Sequence, residues 1–568
     1  MHRRALLTKF LSPSATAEST PSFTAGSSLN PYSGTWDFAQ AAHLLRRAMF
    51  APTYEDIKTA VADGLEATLD KLFATQPLPD PPLNTYFADD PLVPIGETWV
   101  NADHSSNNQN GVFTRGYRKA SLNVWTLGMM RDEGVSIREK MTLFWHNHFA
   151  TGDLNNPNAV YDYITLLREN ALGNFRELTK SITVDRAMLK FLNNDQNSKE
   201  SPNENYAREL FELFTIGKGD LAGPGDYTNY TEQDIAAAAK VLTGWRVRDF
   251  GQVNAAVPTE VIFRSGRHDE SDKEFSHRFN NTIISNNGEE EYKDLVDMIF
   301  AQAEVARFIC RKFYRWLVYY KIDEAAEMNI IAPLANTLIT NDLNVAAVLR
   351  QLLGSEHFFS GEYNGVMIKN PYDAMLAAMK PLNLPMPSDA EQYQRVMIRL
   401  FQFAEDLQME YYEPPTVAGW KAYYQEPQYY RNWINSVTLP KRFEFSDTVL
   451  GLPRPTRIMG FTIQADVLAL VDEVFADANN GVSGAPSPFL ITDFIAQLAQ
   501  LFLPKTLSTS QVDYLKEILI PGLPDFEWSV EFEHYQEHLD DEATVEAMAN
   551  KVRSFLSALL HLPEFQLM

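Results

Sequence analysis

The stretch SPNENYARELFELFTIGKG, residues 201–219, decides how the chain is read. Ser201, Pro202 and Glu204 occupy the N-cap, first helical and N3 positions of a capping box, and Gly217 stands where a helix stops. At roughly 100° per residue, Glu204, Asn205, Arg208, Glu209 and Glu212 fill one arc. Tyr206, Ala207, Leu210, Phe211, Leu213 and Phe214 fill the other. The spacing predicts an amphipathic helix.

Similar signals recur outward from it. Ser136 with Glu139 opens a helix expected to end near Gly152, and Thr231 with Asp234 opens one ended by Gly244. Helical patterns also cover 39–50, 54–73 and 541–560, with loops at 77–94, 101–115 and 475–487. The texture breaks at 245–290, which reads as a small β-hairpin or irregular insertion, and at 410–435, a loop dense in Tyr, Trp and Pro. Residues 12–34 are rich in Ser, Thr, Pro and Gly and read as a flexible arm. The expected fold is mainly α: a single large multi-helix domain over 36–568 with that insertion, behind an N-terminal arm over 1–35.

Composition narrows the partners. Acidic residues outnumber basic ones 74 to 49, a net charge of -25 that repels phosphate backbones and anionic lipid. Nucleic acid is therefore excluded as an expected partner, and no apolar run reaches the length of a transmembrane segment. A lone Cys310 in FICRKFYRWLVYY allows no internal disulfide and no cysteine-based metal cluster, and reads as a buried thiol. Arg3 and Arg4 followed by Leu6 and Leu7 have the form of a twin-arginine opening, but Thr8 and Lys9 interrupt the apolar segment. The chain is periplasmic or extracellular if that degenerate start works and cytoplasmic otherwise.

Four segments can carry chemistry. In FWHNHF (144–149), His146 and His148 lie about 200° apart on a regular helix, so they cannot chelate one metal. His148 falls on the apolar stripe of Ile137, Met141 and Phe144, either as a hydrogen-bonded core histidine or as a ligand or base in a buried polar site. On the 201–219 helix, Arg208 either forms a solvated ladder with Glu204 and Glu212 or holds Glu209 or Glu212 ionised toward a substrate or metal. Arg267-His268-Asp269-Glu270 in the insertion suits a metal ligand set or a base with its orienter. The loop PPTVAGW (414–420), with Tyr423, Tyr424, Tyr429, Tyr430 and Trp433, either stacks on sugar or another protein or clamps the loop to the core; clamping is the expected role. GxSxG, P-loop, GxGxxG and HExxH signatures are absent.

In this order, these segments, with HLLRRAMF (43–50), REKMTLFWHNHFAT (138–151), YTEQDIAAAAKVLTGW (230–245) and the F-R-S-G-R-H-D run (263–269), resemble the bacterial family known as domain of unknown function 1800. The resemblance spans about 37–565. It implies an exported protein accompanied by a sulfatase-like companion. It also implies recurring polar residues at His146, His148, Asn205, Arg208, Glu209, Glu212, His268 and Asp269. Two functions follow as expectations. One is a metal-assisted or acid–base hydrolase of an extracellular polymer or a sulfated or phosphorylated glycan. In it Arg208, Glu209, His268 and Asp269 are catalytic, His148 and Glu212 hold a divalent metal, and His146, Asn205, Trp420 and Trp433 bind substrate. The other is a non-catalytic scaffold or partner of the companion. In the hydrolase, Arg208 and Glu209 face the His268-Asp269 loop with His148 beneath.

Overall fold

The computed structural model describes residues 28–102, 114–152, 154–248 and 260–568. It is 56% helical. Helices run from Phe38–Ala48 to Glu542–Leu560, and the described strands form only two-stranded antiparallel ribbons. One connected cluster of buried apolar side chains extends from Ala41 to Met568. The ribbon Trp245–Arg248 with Glu260–Phe263 and the ribbon Lys273–Glu274 with Ile283–Ile284 form the expected insertion. Short ribbons at Leu221–Gly223 with Asp226–Tyr227 and at Thr456–Ile458 with Phe461–Ile463 were not anticipated. Strands of two or three residues are too short for alternation to be read.

The capping signals fared unevenly. Thr231 and Asp234 form a reciprocal capping box, the helix runs Glu232–Val241, and Gly244 follows at φ +96°. Asp541 caps the last helix by accepting from Ala543 N and Thr544 N. Ser201 does not cap. Its N–H donates to Ser198 O in a turn, and Asn203, fixed by its own N–H to Asn197 Oδ1, becomes the N-cap of the helix Glu204–Glu209. Glu139 does not close a capping box either, because its carboxylate is taken by Arg168. Helix Arg138–His148 stops at Phe149, before Gly152. The single helix expected over 54–73 is two, Tyr54–Asp63 and Leu65–Leu72, broken at Gly64 with φ +82°, a conformation glycine adopts freely.

Part of the expected arm is docked: Tyr32 N donates to Gly354 O, and Asn30 O and Ser28 O accept from Glu356 N and His357 N. The twin-arginine-like start lies outside the described residues. Cys310 is fully buried, and burial pushes its thiol pKa up.

Helix Arg138–His148 is the centre of the molecule. Every residue from Glu139 to His148 is buried. A helix buried on all sides is normally apolar all round, yet this one carries Glu139, Lys140, Thr142, His146, Asn147 and His148. The fold meets the cost of burying them by sending a partner from a different segment to nearly every one.

Candidate functional site

Glu139 forms a bidentate pair with Arg168 at 2.7 and 2.9 Å, both side chains fully buried. Lys140 pairs with Asp373 at 2.5 Å. His146 meets Tyr163 Oη at 3.1 Å and Tyr411 O at 2.6 Å, and burial lowers its pKa to about 4. Asn147 Oδ1 accepts Trp420 N–H at 3.0 Å. Trp420 is 2% exposed and packs edge-on to His146, so the aromatic loop is clamped, as expected, and this ring keeps no free face. Trp433 is also buried, but lines a small cavity with Trp316 and Tyr423.

His148 points the other way, as the helical spacing required. The helix Glu204–Glu209 widens after Glu209 into a π-turn, Leu210–Thr215, which a 3.6-residue period cannot foresee. Two carbonyls of this turn are captured from outside. His148 Nε2 donates to Phe214 O at 2.9 Å, and Lys312 Nζ donates to Leu213 O at 2.8 Å. Lys312 Nζ also donates to His148 Nδ1 at 3.0 Å. With Phe214 O as an acceptor, His148 carries its proton on Nε2 and offers the Nδ1 lone pair to the amine. Burial, then the neighbouring Lys312, holds the His148 pKa well below 6.5. Burial, then Arg315, lowers Lys312 to about 7. The bonding partners of Lys312 among the described residues are thus an imidazole and a carbonyl, with no carboxylate, and the residue is half-buried. Sequence reasoning missed it: in the run RKFYRW nothing separates a surface lysine from this one.

The Arg208 cluster lies at the surface. Arg208 grips Glu232 through two bonds of 2.9 and 2.7 Å and reaches Glu204 at 3.2 Å, and Glu212 lies 3.7 Å from it. Glu212 accepts from Tyr230 and pairs with Lys218. Glu209 is half-buried, and burial, then Glu212, raises its pKa. Asn205 is exposed beside it.

His268 belongs to a different network. Its Nε2 meets Glu291 Oε1 at 2.8 Å, its Nδ1 meets Thr243 O at 2.9 Å, and Lys273 closes on the other Glu291 oxygen at 2.7 Å. The Asp269 carboxylate accepts from Ser271 rather than from His268. Arg208 is anchored at Glu232, in the first turn of Glu232–Val241, and His268 at Thr243, just past its last turn. That helix separates the two anchor points by about 15 Å along its axis. The structure brings His148 against the far end of the Arg208 helix, but among the described residues no hydrogen bond or ion pair joins the Arg208 and His268 networks. Both ring nitrogens of His148 are occupied, and no group of three or more His, Cys, Asp or Glu is placed to hold a metal ion among the described residues.

This arrangement defines a helical protein whose polar centre is assembled where its motif-bearing segments meet. The chain belongs to the family described as protein of unknown function DUF1800, whose model matches residues 43–567, nearly the whole length. No curated protein and no solved structure matches it.

Proposed function

We propose that the chain is an acid–base enzyme acting on an extracellular polymer or glycan, with Lys312 and His148 as its proton-handling pair. The observation that supports it is the amine of a half-buried lysine with an imidazole and a carbonyl as partners and, among the described residues, no carboxylate. An amine poised near neutrality takes and returns a proton at working pH. His148 orients that amine, and its fixed tautomer leaves the Nδ1 lone pair toward Lys312. The substrate class rests on the family resemblance. Competitive acylation of lysines followed by mass spectrometry tests the reading. Lys312 should react with a midpoint near pH 7 while exposed lysines titrate near their ordinary value of about 10.4. A Lys312→Met variant should stay folded and lose release of reducing ends from a panel of sulfated, phosphorylated and neutral glycans. A Lys312 midpoint in the ordinary lysine range sinks the proposal.

A second reading, a scaffold for the sulfatase-like companion, draws support from one surface. Phe526 and Val530, 61% and 55% exposed, stand one turn apart on the helix Phe526–Glu537, and Ser529 Oγ bonds Phe489 O, which brings the 53% exposed Leu490 alongside. Co-purification with the companion should be lost in Phe526→Asp/Val530→Asp. A wild-type chain that never co-purifies removes this reading.

A further inference from the structure

We infer that the groove between the helices Phe38–Ala48, Ile491–Phe502 and Thr509–Leu519 binds a single-chain amphipathic carboxylate, a free fatty acid of medium length, with its head at Arg46 and Lys505. The groove has a volume of about 370 Å³, within the roughly 300–1,000 Å³ of small-molecule sites. Ile495, Ala499 and Leu503, all buried, form its floor, and the half-buried Leu507 and Val512 form a wall. Ala39 and Ala496 are exposed at its mouth, where short side chains leave it open.

The charges gather at one end of this groove. Arg46 Nη2 donates to Gln500 O and Leu501 O at 2.7 and 2.8 Å, in the last turn of Ile491–Phe502. Lys505 follows just after that helix ends and is exposed. Among the described residues Arg46 Nε and Nη1 make no hydrogen bond, and neither cation pairs with a carboxylate. No Asp or Glu lines the groove, and Met568 lines a separate small cavity that Arg46 also borders. From Gln500 back to Thr492 the helix rises about 12 Å. The lining residues it supplies between them are aliphatic except for Gln497.

A ligand has to answer both parts of the groove. A small inorganic anion would meet Arg46 and Lys505 and leave the aliphatic floor in water. A neutral hydrocarbon would cover the floor and strip water from two cations without returning an anion. A carboxylate on an unbranched chain does both: its head accepts from the free Arg46 donors, and its chain lies along Ile495 and Ala499. The net charge of -25 repels an anionic membrane surface, so the occupant comes from solution. The groove shares no residue with the Lys312–His148 pair, so this inference goes beyond the acid–base reading and stands or falls separately from it.

Calorimetric titration of the full chain with acetate, octanoate, decanoate and decanol, each below the concentration at which it aggregates, tests the inference. Decanoate should bind saturably and one-to-one, acetate should not, and decanol should bind about fivefold more weakly or worse. A buried methylene gives about a three- to fourfold gain in affinity, so decanoate should bind about tenfold more tightly than octanoate. Ala496 and Lys505 are exposed, so variants there should keep the fold. Ala496→Trp fills the mouth and should weaken decanoate about tenfold or more, and Lys505→Gln about two- to fivefold. No saturable binding of decanoate overturns the inference, as does decanol binding as tightly as decanoate, or wild-type affinity in Ala496→Trp. Binding of the chain to phosphatidylglycerol vesicles without binding of monomeric decanoate also overturns it.

Discussion

Asn147 and Gly419 meet so closely that a Cβ on Gly419 would lie 2.2 Å from Asn147 Oδ1 and 2.6 Å from Asn147 O. Gly419 adopts φ +85° at this approach, and the next residue, Trp420, donates its N–H to the same carboxamide. Gly419→Ala adds both a clash and a strained backbone. It should cost about 3 kcal/mol in urea unfolding. A loss within about 0.5 kcal/mol, the range of an ordinary surface change, would contradict this account of how the aromatic loop is held.

The Glu139–Arg168 pair is fully buried, so removing one partner strands the other charge. Arg168→Met should destabilise the chain by about 3–5 kcal/mol. The double variant Glu139→Leu/Arg168→Met should recover part of that loss, since an apolar pair leaves no charge behind. A double variant less stable than the single one would show that the pair is not acting through desolvation.

The Arg208 and His268 networks should respond differently. Arg208 and Glu232 are both partly exposed, at 32% and 42%, so Arg208→Ala should change stability by under about 1 kcal/mol. Glu291 is buried between His268 and Lys273, and Glu291→Gln should cost about 3–5 kcal/mol. Parallel denaturant titrations check both; equal losses would mean that the ladder and the buried triad have been misassigned.

Burial lowers the His146 pKa to about 4 in the folded chain, while an unfolded chain restores the value near 6.5. Below pH 6.5 the unfolded state therefore binds the extra proton. Stability from this group is fully present above pH 6.5 and is lost as pH falls toward 4, at up to about 1.4 kcal/mol per pH unit. His146→Gln should flatten the stability profile by that slope between pH 6 and 4.5. An unchanged slope would mean that His146 takes up its proton while folded.

Helical character was legible because capping and amphipathic period are local. Thr231 with Asp234 and the cap at Asp541 needed no tertiary information. Ser201 misled because Asn197, a residue outside the motif, fixes Asn203 in the capping position instead. The opposed directions of His146 and His148 followed from helical geometry, whereas Trp420, read as a substrate-binding ring in the hydrolase, is buried through a bond to Asn147 that no local pattern shows. The π-turn was not legible, since the residues it buries, Leu210, Phe211, Phe214 and Thr215, also fit ordinary helical spacing. Neither Lys312 nor the groove at Arg46 could be found by spacing: Arg46, Ile495 and Val512 come from three separate helices and meet only in the folded chain.

The central helix also constrains the order of folding. Its polar residues await Phe214, Asp373, Tyr411 and Trp420, which lie 66, 233, 265 and 273 residues downstream of His148, Lys140, His146 and Asn147. During synthesis a ribosome must extend the chain past Trp420 before this helix can be enclosed without stranding Lys140, His146 and Asn147. The first third of the protein thus emerges with a segment it cannot yet bury, and the chain closes around it late, through contacts of long sequence separation that make for slow folding.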